Sequence, residues 1–115
     1  TDGIQDYEKI YDVALSDGRQ QDPATGATPP VGNTVDVSTA TYTNDIGAPE
    51  LKALWTDPEY DSSQEAIYYV RVLEIPTPRW STFDAVTLGV EPPETVPAVL
   101  QERAWSSPVW VTTSR

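Results

Sequence analysis

Histidine is missing from all 115 residues, and so are cysteine and methionine. Without histidine the chain cannot build a Ser-His-Asp triad, a histidine-bound zinc or a two-histidine iron site. It also lacks the side chain that most often serves as general base near neutral pH. Without cysteine there is no disulfide, no thiolate metal site and no thiol nucleophile, which leaves the compartment open. Basic residues are scarce, 7 against 18 acidic ones, for a formal net charge of −11. Such a surface repels phosphate backbones, so nucleic acid and anionic membranes are excluded as partners. No apolar run approaches the roughly 20 residues of a membrane-spanning helix, and no signal peptide opens the chain. The sequence starts at Thr1 rather than Met, which reads as a processed or excised piece.

What remains is a chain of one-domain length with 11 prolines and 6 glycines set mostly between short apolar runs. Tyr7 to Leu15 alternates, with Tyr7, Tyr11, Val13 and Leu15 on one side, and predicts a half-buried strand ending at the turn Ser16-Asp17-Gly18. Residues 19–33 are polar and rich in Pro, Gly and Thr, hence loop. Thr34 to Thr43, dense in β-branched residues, predicts a second strand. Residues 50–56 fit either a short helix after Pro49 or a strand, and the strand is preferred because it could pair across the 57–65 loop. Ala66 to Ile75 is apolar on both faces, which predicts a central strand covered on both sides. Arg71 within it needs a carboxylate or carbonyl partner. Pro76 and Pro78 should end its pairing. Ser81 is placed as the N-cap of a helix running through Leu88 and stopped by Gly89. Ala104 to Thr113 predicts a last strand, at an edge or bulged because of Pro108. The sum is an all-β, sandwich-like (immunoglobulin-like) single domain over 1–115, with long Pro/Gly-rich loops and one short helix.

Chemistry-bearing groups are few, and each has a plain reading beside a sharp one. Asp57, Glu59, Asp61 and Glu65 share one loop and offer hard oxygen ligands to calcium. They lack EF-hand spacing, so a solvated acidic loop is the preferred reading. Glu74 with Asp84 or Glu102 could form a glycosidase-type carboxylate pair, but any acidic chain offers such pairs. Trp55, Trp80, Trp105 and Trp110 could make a sugar-stacking platform. The strand patterns assign Trp55 and Trp105 to the core. Arg79 and Arg103 flank the Pro-rich connection and read as structural partners of nearby acids. Arg79 and Trp80, held on a rigid Pro-Thr-Pro exit from the central strand, are the assigned interface or ligand contact. No catalytic residue, metal site or cofactor is assigned.

Six stretches in order carry a resemblance: Lys9-Ile-Tyr-Asp-Val-Ala-Leu-Ser-Asp-Gly-Arg19, Pro30-Val-Gly-Asn-Thr-Val-Asp-Val37, Ala40-Thr-Tyr-Thr-Asn44, Leu54-Trp-Thr-Asp-Pro-Glu-Tyr-Asp61, the run from Tyr68 to Asp84, and Gln101-Glu-Arg-Ala-Trp-Ser-Ser-Pro-Val-Trp110. Together they resemble the C-terminal end of a large bacterial family, domain of unknown function 3604. The resemblance implies a longer parent whose upstream part is similar to metal-dependent barrels of the polymerase and histidinol phosphatase type. It also implies a periplasmic or extracellular setting. The parent's presumed metal ligands would lie upstream, with none to carry over onto this histidine-free stretch. The last motif, Ser106-Ser-Pro-Val-Trp110, is similar to the final-strand pattern of β-sandwiches that follow such barrels. The implied role is a non-catalytic accessory domain packed on the upstream barrel, with a carbohydrate-binding module as the alternative.

Overall fold

The apolar runs at residues 66–78 and 99–111 find each other. In the computed structural model, which describes residues 7–113, they form a long antiparallel ribbon of two short sheets. β1 (Ala66–Tyr68) pairs β4 (Val109–Val111), with Ile67 opposite Trp110. β2 (Arg71–Pro78) pairs β3 (Val99–Trp105), from Arg71 opposite Trp105 to Pro78 opposite Val99. The register slips between Leu73 and Pro76. It slips again between the sheets, where Ser106 makes the repair. The Ser106 N–H donates to the Val70 carbonyl at 2.9 Å, and the Val70 N–H donates to Ser106 Oγ at 2.9 Å. A serine hydroxyl thus replaces a ladder carbonyl, and Pro108 is accommodated in the irregular stretch just beyond. Pairing runs through Pro76 and Pro78 instead of ending there. In a two-stranded ribbon every strand is an edge, so a proline's missing N–H need not break the ladder.

The connection from β2 to β3 carries α1 (Trp80–Leu88). Its N-cap is Arg79, in extended conformation and without a side-chain cap, rather than Ser81. Tertiary bonds do the anchoring: the Arg79 N–H and the Thr82 hydroxyl both donate to the Ala98 carbonyl, at 2.9 and 2.7 Å. At the other end Gly89 takes the left-handed conformation (φ 68°), the Gly89 N–H donates to Val86 O and the Val90 N–H to Ala85 O. This paired closure is what a glycine just past a helix supplies.

Residues 7–65 contain no strand of their own. Tyr7–Leu15 and residues 50–56 are extended but irregular, and the strand expected over Thr34–Thr43 reduces to one bridge, Asp36 to Thr41. Aspartates organise this half: Asp22, Asp36, Asp57 and Asp61 each accept the backbone N–H two residues ahead. These local bonds offer the backbone an alternative to ladders. The Ser16-Asp17-Gly18 turn does form. Arg19 donates to Ser16 and to the Pro29 carbonyl, while Asp17 accepts the Gly47 N–H at 2.8 Å. Gly47 (φ 81°) lies so close to β2 that an added Cβ would sit 2.6 Å from Ile75 Cγ2, which fastens the loop half to the ribbon.

Little is buried. Among the described residues the buried apolar side chains are Ala40, Pro78 and Ala85, with Ser16, Ser81 and Thr82 as the buried polar ones. The strand expected at the centre is half-exposed instead, with Tyr69 at 52% and Val70 at 54%. A two-stranded ribbon cannot cover both faces of either strand. The accessible surface is 9617 Å², against about 6,200 Å² for a folded monomer of this mass. The radius of gyration is 19.4 Å, against about 13 Å for a compact domain of this length.

Candidate functional site

Arg79 and Trp80 stand where β2 ends and α1 begins. The Arg79 guanidinium lies 6.0 Å from the centroid of the Trp80 ring, within cation–π range. Trp80 is 67% exposed, so it is not folded over a core. Its ring borders a shallow groove of ≈ 190 Å³ between α1 and residues 90–93, where Ala85, Leu88 and Val90 supply apolar wall and Asp84 and Glu91 supply charge. Two polar atoms beside it, Arg79 Nε and Ser81 Oγ, are buried without a hydrogen-bond partner among the described residues. The arrangement offers one aromatic platform, one fixed cation and two carboxylates. It contains no nucleophile with an adjoining base.

A second cluster joins three distant segments. Tyr11 and Trp55 pack with ring centroids 4.9 Å apart and planes tilted by 47°, and Trp55 meets Tyr68 edge-on at 6.4 Å. The Tyr68 hydroxyl donates to Asp57 Oδ2 at 2.7 Å, and this bond to the carboxylate pushes the phenol up to about 12. Lys9 lies 5.0 Å from the Tyr11 ring centroid and pairs with Glu59. Sequence reasoning missed this cluster because its members are far apart along the chain. The alternation of Tyr11 and Trp55 within apolar patterns was the only signal. Here Trp55 is held between two tyrosines rather than in a core, and Trp105 is exposed.

The two aspartates of the 57–65 loop also cap their own backbone, while Glu59 turns to Lys9. Asp57 accepts the Glu59 N–H and Asp61 accepts the N–H and hydroxyl of Ser63. Those bonds hold Asp61 below the usual carboxylate range, the Ser63 hydroxyl contributing most. The same cause, with Ser38 as donor, lowers Asp36, and the Ser16 hydroxyl followed by the Gly47 N–H lowers Asp17. No group of three or more acidic side chains converges as a metal site among the described residues. Arg103 sits on β3, across from Leu73 and away from Arg79 on the helix cap.

Residues 1–113 match the model of the family described as protein of unknown function (DUF3604), and the chain belongs to that family. No curated protein and no solved structure matches it.

Proposed function

We propose that this member of the DUF3604 family is a non-catalytic accessory β segment that packs against another part of a longer polypeptide. One observation carries the reading: the buried apolar side chains in the described residues are three small ones, Ala40, Pro78 and Ala85, against exposed Leu54, Trp80, Trp105 and Trp110. The surface surplus of roughly 3,400 Å² over a folded monomer of this mass is ample for one side of a permanent interface. An isolated two-stranded hairpin is marginal in water, so the ribbon requires cover. In this reading residues 1–115 are a single sandwich-like, immunoglobulin-like domain whose open face the neighbour covers. The neighbour is the upstream metallohydrolase-like barrel that the family resemblance implies, in a periplasmic or extracellular protein. The test compares this chain alone with the longest natural polypeptide containing it. Alone, the chain should lack a cooperative thermal transition and keep a large radius of gyration in solution scattering; within the longer polypeptide its ribbon amides should gain strong exchange protection. Cooperative melting of the isolated chain at an ordinary mesophile temperature would defeat the proposal.

A second reading is favoured by the exposed Trp80 platform with Asp84 and Glu91 beside it: a carbohydrate-binding module, in which the ring stacks on a sugar face and the acids take hydroxyls. Trp80→Ala should then abolish retention on polysaccharide columns without altering the fold.

A further inference from the structure

The two faces of the β2–β3 ribbon differ in charge. Opposed residues of an antiparallel pair project to the same side. The pairs Arg71–Trp105 and Leu73–Arg103 therefore set four side chains on one face, the arginines on one diagonal and Leu73 and Trp105 on the other. Val72 and Ala104 are paired on the opposite face, and strand alternation puts Glu74 and Glu102 on that side as well. All four side chains of the first face are exposed, Leu73 at 47% and Trp105 at 59%. Acidic residues outnumber basic ones 18 to 7 in this chain, yet neither arginine has a carboxylate partner among the described residues. The ion pairs there are Lys9–Glu59 and Lys52–Glu50.

We infer that the Arg71, Leu73, Arg103 and Trp105 face docks on a protein surface that presents carboxylates around an apolar patch. The inference rests on the accessory-segment reading above and specifies which face is covered and by what chemistry. A guanidinium fork matches a carboxylate in two parallel hydrogen bonds. Arginine and tryptophan are the residue types that most often carry interface energy. A basic partner surface would set like charges against both arginines. A phosphate-rich one would meet the repulsion of the −11 net charge. The Val72 face, with its two glutamates, is left toward solvent.

The experiment uses hydroxyl-radical footprinting on this chain alone and on the longest natural polypeptide containing it. Leu73 and Trp105 should lose reactivity several-fold in the longer polypeptide, and Arg71→Glu with Arg103→Glu should restore it there. Should that pair fail to fold, Arg71→Lys with Arg103→Lys keeps the charge and introduces amines. Carbodiimide should then join position 71 or 103 to an Asp or Glu of the facing surface. Protection at Ile67 or Trp110 but not at Leu73 and Trp105 would overturn this face while sparing the accessory-segment reading. Protection nowhere would overturn both. Protection without a crosslink, and indifferent to charge reversal, would show an apolar cover without carboxylates and overturn the chemistry inferred.

Discussion

Tyr68 and Asp57 show how a single polar contact organises a region without a core. The phenol hydroxyl donates to the carboxylate at 2.7 Å, so removing its proton gives up that hydrogen bond and, to a smaller extent, strands a partly desolvated charge beside another of the same sign. That is why the group rises from 10 to about 12. The folded value lies above the unfolded one, so the contribution is fully present below pH 10 and lost as pH rises through about 12. Following phenolate absorbance during alkaline titration should reveal a step near 12 that Tyr68→Phe removes and Asp57→Asn shifts back toward 10. A Tyr68→Phe curve superimposable on the parent's would dismiss the pairing. Gly47 works by the opposite means, an absence. Its position 2.6 Å from Ile75 at the Cβ site, with φ at 81°, leaves no room for a side chain between loop and ribbon.

Among the elements, α1 depends on one carbonyl. Ala98 O accepts from the Arg79 N–H and from the fully buried Thr82 hydroxyl, so the helix start is tied to the strand that follows it. Thr82→Val keeps the shape and removes one of the two bonds, while the Arg79 N–H still satisfies the carbonyl. The cost should be about 1 kcal/mol, the usual net worth of an internal hydrogen bond, and amide exchange in α1 should quicken about five-fold. Unchanged exchange would mean that the Arg79 bond alone fixes the helix. The ribbon has a similar local device in Ser106, whose hydroxyl stands in for a backbone acceptor at Val70.

For the molecule as a whole, the large surface and the small interior make energetic cost depend on context. Leu73 is 47% exposed, so Leu73→Ala in this chain alone should cost no more than about 0.5 kcal/mol, as for an ordinary surface change. In the longer polypeptide, with that face of the ribbon covered, the cost should reach about 2 kcal/mol, toward the range of core truncations. Exchange of the ribbon amides, followed in both with and without the substitution, compares the two. Equal costs would show that no cover forms over Leu73.

The amino-acid sequence by itself determined the features governed by local chemistry. Gly89 had to end the helix because only glycine enters the left-handed conformation freely. Ser16-Asp17-Gly18 had to turn, and Pro108 had to fall in an interruption of pairing. Composition alone removed histidine- and cysteine-based catalysis from this stretch. Strand character was legible over 66–75 and in parts of 104–113 for the same reason, since β-branched and aromatic residues favour a pleated, covered surface, whereas Val99–Arg103 of β3 fell outside the expected strands. Tertiary structure decided everything that needed a partner. Alternation in Tyr7–Leu15 states that one side can be buried, but a strand forms only where another strand's donors and acceptors stand opposite. None do among the described residues, and aspartate side chains take local backbone donors across the loop half. The two-sided apolar pattern of residues 66–75 records a need for cover rather than its presence. Among the described residues the two strand pairs satisfy their ladders and leave the faces of residues 69–74 exposed, because covering a face takes a second layer and the loop half meets the ribbon at Ile75 and Tyr68 instead.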